Sequence, residues 1–184
     1  MRKKRFKLIA CFMVFGIITL GTNIPTFAYN FSGPRWQSST IRYYYENWNS
    51  ARAQSYIRIG GNGWNSTDVN FIQGTASNYN VYCSEVMNPS VDWTGITNSS
   101  YNATTMLFVS QTIQLNASKT STWNNNGALQ SVAIHEFGHS LGLAEYPNAA
   151  VIMNPYTSGT NSRYGTYGIT TIQSDDRNCA NARY

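Results

Sequence analysis

The sequence predicts an α+β fold, and three features of the chain support this prediction. Short β-branched and aromatic runs indicate several strands. Residues 128–143 form a segment that is apolar on most sides, which is typical of a buried helix. A second helical segment ends the chain. With 184 residues and no internal repeat, the chain is long enough for one domain of ordinary size.

Five segments are predicted to be strands. Residues 40–46, Thr-Ile-Arg-Tyr-Tyr-Tyr-Glu, combine β-branched and aromatic side chains. Residues 69–73 alternate between apolar and polar side chains, as a half-buried strand does. The other predicted strands are 80–85, 105–109 and 112–115, of which the last two lie on either side of a short break.

Three segments are predicted to be helices. Residues 49–64 place apolar side chains near helical spacing. Residues 128–143 follow a turn rich in asparagine and form the long apolar helix. The final helix is expected at 170–182, where Thr170 and Gln173 have the spacing of a capping box.

The first 28 residues have the pattern of a secretory signal peptide. Five basic residues come first, residues 8–20 are almost wholly apolar, and Thr26 and Ala28 are small residues at the two positions that a signal peptidase reads. The apolar run is shorter than the about 20 residues that span a membrane. We therefore predict cleavage after residue 28 and secretion of a mature chain, 29–184. An uncleaved N-terminal anchor is the alternative.

The net charge of the mature chain is near zero. Five of the 13 basic residues and none of the 8 acidic residues lie in residues 1–28, which leaves eight of each sign. Neither nucleic acid nor an anionic membrane is therefore expected as a partner. We expect a monomer.

The mature chain keeps two cysteines, Cys83 and Cys179. Two thiols in an oxidising exterior tend to pair, and we predict a disulfide between them. In the chain-entropy view, a bridge that closes so long a loop contributes about 4–5 kcal/mol. The alternative is Cys83 as a catalytic nucleophile, but neither histidine of the chain could serve both that thiol and a metal ion.

The segment His135-Glu136-Phe137-Gly138-His139 carries the chemistry. Residues i and i+4 share one helix face, so His135 and His139 can present two imidazoles to one Zn²⁺ ion. Glu136 is offset by about 100° and can reach a metal-bound water as general base. This is the H-E-x-x-H arrangement of zinc peptidases. The alternative is a pair of hydrogen-bonded core histidines.

Glu145 is the candidate for the third ligand of a catalytic zinc site. It lies ten residues after His135, about 15 Å away if the helix continued. Gly142 removes this difficulty, because glycine adopts the left-handed conformation that ends a helix. We therefore predict that the chain turns back at Gly142 and brings Glu145 under the ion.

These residues resemble the metzincin clan, and within it the small matrixin-like bacterial peptidases. Its pattern is H-E-x-x-H-x-x-G-x-x-H followed by a methionine turn. The chain matches it at His135, Glu136, His139 and Gly142, and Met153 stands where the Met-turn is expected. The resemblance implies a twisted mixed β-sheet packed on a long active-site helix, then the Met-turn and a C-terminal helix.

The chain departs from the metzincin pattern at Glu145, because the family usually has histidine there. The snapalysin family has aspartate at the matching place, so an acidic ligand has a precedent. A carboxylate brings negative charge and should make the zinc a weaker Lewis acid than three imidazoles would. Both direct ligation by Glu145 and ligation through a water molecule stay open.

The resemblance also implies how a substrate binds. Residues 112–116 resemble the family's edge strand, which holds an extended peptide, and the candidate residues are Ile113, Gln114, Leu115 and Asn116. Some metzincins place a tyrosine after the Met-turn that stabilises the oxyanion. Tyr156 is the candidate for that role here, and the alternative is a place in the wall of the specificity pocket.

The sequence thus predicts a secreted zinc-dependent endopeptidase. Residues 29–184 are expected to form a single catalytic domain without a propeptide, active once it folds and binds zinc. Two other functions stay open: a zinc hydrolase of a non-peptide or cell-wall amide substrate, and a catalytically weak zinc-containing binding protein.

Overall fold

The computed structural model describes residues 31–184. The predicted signal peptide lies outside the described residues, so its cleavage and the start of the mature chain stay predictions. Within the described part the fold is α+β, as predicted. The elements follow one another in the order β1 Thr40–Tyr44, α1 Ala51–Asn62, β2 Asn70–Gln73, β3 Val81–Val86, β4 Gly95–Asn102, β5 Leu107–Asn116, α2 Thr120–Trp123, α3 Asn126–Ser140 and α4 Ser174–Arg183.

The strands form one mixed sheet in the order β2-β1-β3-β5-β4. β1 pairs in parallel with β2 and β3, and β3 pairs in parallel with β5. β4 runs antiparallel to β5 and lies at one edge of the sheet. The prediction of a mixed sheet is therefore confirmed.

Helices α1 and α3 pack against the sheet and enclose the core. Phe137 of α3 is fully buried, and its ring makes edge contacts with Tyr43 of β1 and Phe71 of β2 at centroid distances of 5.6 and 5.0 Å. Trp64 follows α1, and its Nε1 donates to the carbonyl of Ile134 at 2.8 Å. These contacts hold α3 against the sheet and thereby fix the position of the side chains that α3 carries.

Two features of the strands differ from the prediction. The segments 105–109 and 112–115 are not separate strands, because β5 runs unbroken from Leu107 to Asn116. The expected break is a bulge: Ser100 pairs with Ser110 but Tyr101 pairs with Phe108, which leaves one extra residue on β5. β4 itself was not predicted, because its exposed, polar sequence lacks the apolar alternation of a half-buried strand.

The final helix begins later than predicted. Gln173 is its N-cap, and its backbone N–H donates to Oδ2 of Asp176 at 2.8 Å. The capping box predicted at Thr170 and Gln173 is therefore wrong, and the box joins Gln173 to Asp176 instead. The carbonyl of Thr170 accepts a bond from Nε2 of Gln130, which ties the preceding segment to α3. No helix in residues 31–184 is long and apolar enough to span a membrane.

The structure does not form the disulfide predicted between Cys83 and Cys179. Cys83 lies on β3 with its thiol wholly inside the core, whereas Cys179 is a half-buried residue of α4. The two side chains belong to different surroundings, because Cys83 interacts with Tyr43 of the sheet and Cys179 with Arg183 of its own helix. Burial raises the pKa of the Cys83 thiol strongly, which also does not fit a nucleophile.

Candidate metal centre

Three side chains converge near the end of α3. His135 and His139 lie one helical turn apart, and their Nε2 atoms are 3.0 Å from each other. Oε1 of Glu145 lies 3.1 Å from Nε2 of His139 and 3.4 Å from Nε2 of His135. The structure therefore brings together all three ligands that the sequence predicts.

The triangle of donor atoms fits a zinc ion. Zinc binds imidazole nitrogen and carboxylate oxygen at about 2.0–2.2 Å in tetrahedral geometry, which separates neighbouring donors by about 3.3–3.5 Å. The donor atoms found here are 3.0–3.4 Å apart. Three protein ligands leave the fourth position of a tetrahedron for water or substrate, as catalytic zinc sites require.

Backbone carbonyls orient both imidazoles toward this point. Nδ1 of His135 lies 2.9 Å from the carbonyl oxygen of Ile152, and Nδ1 of His139 lies 2.9 Å from that of Leu143. A carbonyl can only accept, so each Nδ1 carries the proton and donates it. The lone pair of each Nε2 is thereby directed at the metal position, which is the usual arrangement around a zinc-bound histidine.

The chain reverses direction at Gly142, as the sequence predicts. α3 ends at Ser140, and Gly142 has φ +80°, a conformation that residues other than glycine rarely adopt. The N–H of Leu143 then donates to the carbonyl of Gly138 at 3.2 Å. This turn is what carries Glu145 back to the histidines.

Electrostatics keep Glu145 ionised. Burial raises the pKa of its carboxyl group, but in the absence of a metal ion the hydrogen bonds and positive charge that His135 and His139 supply when protonated lower the pKa more, to about 2. For His139 burial lowers the pKa, but the bond to Glu145, the negative charges of Glu136 and Glu145 and the carbonyl of Leu143 together raise it more, so that the net shift is upward. The carboxylate is thus in the charged state that metal binding requires.

Met153 is buried and packs against α3 at Gly138. The turn that carries it is held by Asp176, whose Oδ2 accepts from the N–H of Ile152 at 2.8 Å and whose Oδ1 accepts from that of Met153 at 3.2 Å. Because the carbonyl of Ile152 also orients His135, Asp176 supports a metal ligand through this turn. The sequence gives no sign of this role, since two adjacent acids at a helix start are common.

The matrixin family model matches residues 33–184, nearly the whole described chain. The chain belongs to the matrixin family. Matrixins are zinc-dependent peptidases, so the family and the three converging ligands indicate the same metal. None of the curated proteins compared with this matrixin matches it.

A single glycine allows the Met-turn to pack under α3 in this matrixin. A Cβ added at Gly138 would collide with Sδ of Met153 and would lie 2.7 Å from Cζ2 of Trp64. We expect Gly138→Ala to lower the free energy of unfolding by about 1–3 kcal/mol, as overpacking does, and to weaken zinc binding. Urea denaturation and zinc titration measure the two effects.

A double variant tests the cause of that loss. Gly138→Ala combined with Met153→Ala removes the colliding sulfur atom. The substitution at Met153 should therefore cost less stability in the Gly138→Ala background than in the wild type. Strictly additive losses would contradict the proposed collision.

Glu136 is buried beside the ligands and is held by the edge strand. Oγ1 of Thr97 on β4 lies 2.8 Å from Oε2 of Glu136 and 2.9 Å from its backbone oxygen, so its one hydroxyl hydrogen serves either acceptor. Gly95 lets the strand approach, because a Cβ there would lie 2.8 Å from Cγ of Glu136. No sequence pattern singles out Thr97, since the strand that carries it was not predicted.

A cavity of about 340 Å³ opens beside the metal position. Its wall contains His135, Glu136 and Glu145, together with the segment after the Met-turn. Tyr156 lines the cavity with a side chain that is 56% exposed. Arg163 also lines it, fully buried, and the sequence analysis did not identify this arginine.

The residues predicted as the substrate-binding strand lie inside the sheet. Ile113, Gln114, Leu115 and Asn116 belong to β5, which pairs with β3 on one side and with β4 on the other. Backbone groups that are already paired cannot hold a peptide, so this prediction is wrong. The edge next to the cavity is β4, whose first residue, Gly95, lines the cavity wall.

Proposed function

We propose that this matrixin is a secreted zinc-dependent endopeptidase in which Glu136 is the general base. One observation carries the proposal: His135, His139 and Glu145 form the zinc-sized triangle, and Glu136 lines the same cavity as two of them. A pure binding site has no need of a buried carboxylate beside its ligands, and Glu136 is such a carboxylate. Secretion rests on the sequence pattern of residues 1–28.

Bound zinc would polarise the substrate carbonyl and lower the pKa of water toward 7. Glu136 takes a proton from the attacking water and later delivers it to the leaving nitrogen. The hydroxyl of Thr97 fixes one carboxylate oxygen of Glu136 and leaves the other available for the transfer. Tyr156 lines the same cavity wall, and its phenol would donate to the oxyanion when a substrate fills the cavity.

The substrate would bind along β4 as an additional strand. β4 is the edge of the sheet, and residues 98–102 of it are exposed. Backbone hydrogen bonds to such an edge tolerate many sequences, and selectivity then comes from the cavity. The protein would act as a monomer on peptide or protein chains, without nucleic acid and without stable membrane association.

The deciding experiment compares substrates and metal content. Recombinant 29–184 is incubated with casein, a peptide library and cell-wall material, each with zinc, with chelator, and with zinc added back after chelation. We expect peptide cleavage that the chelator abolishes and zinc restores. Cleavage of cell-wall amides alone would indicate the alternative hydrolase, and zinc binding without turnover would indicate the binding protein.

Glu145 can be tested separately as a ligand. Glu145→Ala removes one of three ligands, so we expect zinc affinity to fall by more than about 100-fold, since the loss of mere outer partners already costs 10–100-fold. Competition with a fluorescent chelator measures it. Glu46→Ala, in the segment after β1 and outside the cavity wall, should leave the affinity unchanged. Equal affinity in wild type and Glu145→Ala would show that Glu145 does not ligate.

A further inference from the structure

Arg163 is the most unusual charged residue of the described chain. Its side chain is 1% exposed, and it lines the cavity beside the metal position. Long basic side chains are almost never fully buried unless an acid pairs with them. Within residues 31–184, no carboxylate lies within 4 Å of its guanidinium, since the ion pairs there join Glu145 to the two histidines.

Among the described residues, the hydrogen-bond partners of the guanidinium are all neutral oxygen atoms. Nε donates to Oγ of Ser131 at 3.1 Å, and Nη2 donates to Oγ1 of Thr157 at 2.8 Å. Nη1 donates to the carbonyls of Asn154 and Pro155 at 2.7 and 3.0 Å. A guanidinium has five N–H groups, and these four acceptors leave one N–H of Nη2 without a protein partner among the described residues.

No carboxylate of residues 31–184 forms an ion pair with Arg163. Glu136 and Glu145 act on it electrostatically but lie beyond ion-pair distance. With two neutral imidazoles, a zinc ion would already balance both carboxylates, which leaves the exposed Asp92 as the remaining acid of the cavity wall, and Asp92 forms no ion pair with Arg163. Burial lowers its pKa to about 10, which still leaves it protonated at neutral pH. Burying an unpaired charge is costly, and a ligand of opposite charge would recover part of that cost.

The position of Arg163 is suited to contact with a substrate. Ser131, its Nε partner, lies one turn before His135 on the same face of α3, so the guanidinium lies about one turn from a metal ligand. Thr157 and Ser158 add hydroxyl groups to the same wall. Asp92 also lines the cavity but forms no ion pair with Arg163. The wall near Arg163 is therefore polar and positive rather than apolar.

We propose that Arg163 makes this cavity an anion-binding subsite, so that the enzyme prefers substrates with a carboxylate next to the cleaved bond. The carboxylate accepts the free N–H of Nη2 and displaces or joins the hydroxyl of Thr157 as a second acceptor. It belongs either to an Asp or Glu side chain or to the free C-terminus of a short peptide. This inference rests on the proposed peptidase function and names its substrate class.

The test uses peptides that differ at one residue. Four sets of peptides carry Glu, Gln, Leu or Lys, placed first on one side of the scissile bond and then on the other. In a fifth set the peptide ends with the residue that follows the scissile bond, and its C-terminus is either free or amidated. For the wild type we expect kcat/KM to be about 10- to 100-fold higher for Glu than for Gln at one position, as for a charge-assisted hydrogen bond. A preference for the free over the amidated C-terminus alone would assign the subsite to a terminal carboxylate.

Variants separate substrate recognition from a purely structural role. The ratio of kcat/KM for the Glu peptide to kcat/KM for the Gln peptide reports the charge-assisted hydrogen bond to the substrate carboxylate. Arg163→Gln removes that bond and should bring the ratio to about 1, whereas Arg163→Lys keeps the charge and should keep part of the preference. Arg177→Gln removes the same charge from α4, where Arg177 donates to Ser66, and should leave the ratio unchanged. A structural role alone would lower the rates for Glu and Gln peptides equally.

Each outcome decides the proposal. It is overturned if the wild type cleaves Glu and Gln peptides equally at both positions and shows no preference for a free C-terminus, or if Arg163→Gln leaves the preference intact. If no peptide is cleaved, the peptidase function fails, and titration of the same peptides into wild type and Arg163→Gln still decides the subsite. Tighter binding of the carboxylate-bearing peptide to the wild type supports it, and equal binding rejects it.

Discussion

Glu136→Gln should lower kcat/KM for peptide hydrolysis by about 10²- to 10⁴-fold, the usual contribution of a general base. Glutamine cannot accept the proton of the attacking water. Its amide oxygen can still accept the hydroxyl of Thr97, so the side chain should keep its place beside the ligands. Zinc content should therefore stay at the wild-type level, which metal analysis of the purified variant measures.

The matched control is Glu46→Gln, in the segment that follows β1. Glu46 accepts a bond from the hydroxyl of Tyr44 and does not line the cavity. Its replacement removes one carboxylate of the same size and should leave kcat/KM within about twofold of the wild type, because substitutions away from a site change little. Undiminished turnover by Glu136→Gln at full zinc content would contradict the proposed mechanism.

Asp176→Ala should lower the free energy of unfolding by about 2–4 kcal/mol. The Asp176 carboxylate accepts hydrogen bonds from three backbone N–H groups, those of Ile152, Met153 and Gln173. Removing the carboxylate leaves these three N–H groups without an acceptor. Burial raises the pKa of Asp176 to about 6, which means that desolvation of the carboxylate offsets part of what these bonds contribute. Chemical denaturation followed by circular dichroism measures the loss.

The neighbouring Asp175 provides the control. It is exposed in the first turn of the same helix, so Asp175→Ala should cost only about 0.3–1 kcal/mol through the helix dipole. Asp176→Ala should also weaken zinc binding, since the turn it holds supplies the carbonyl that orients His135. Equal stability of the two variants would show that Asp176 does not hold the Met-turn.

The sequence predicted the metal ligands well because their geometry is largely local. His135, Glu136 and His139 lie within one helical turn or so, and helix periodicity alone fixes which side chains share a face. Gly142 and Glu145 follow within six residues, where one left-handed glycine determines the direction of the chain. Motif spacing also located Met153, although the sequence did not reveal what lies against it.

Residues that support the site through distant contacts could not be predicted. Thr97 forms a hydrogen bond with Glu136, which lies 39 residues away in the sequence, and Arg163 forms one with Ser131, which lies 32 residues away. Neither forms part of a periodic pattern, since Thr97 lies on an exposed polar strand and Arg163 follows a long irregular segment. The expected disulfide failed for the same reason, because cysteine count says nothing of whether two side chains face each other.

Two histidines on one helix face, the glutamate beside that face and the turn that adds Glu145 to them therefore follow from the order of the residues alone. Three other features follow only from the packed chain: β4 and not β5 is the free edge, Asp176 holds the Met-turn, and Arg163 brings to the cavity a positive charge that no described carboxylate pairs with. The physical reason is the separation along the chain over which each kind of interaction acts. Helix and turn geometry act over a few residues, whereas strand order and buried polar contacts depend on how distant segments pack together.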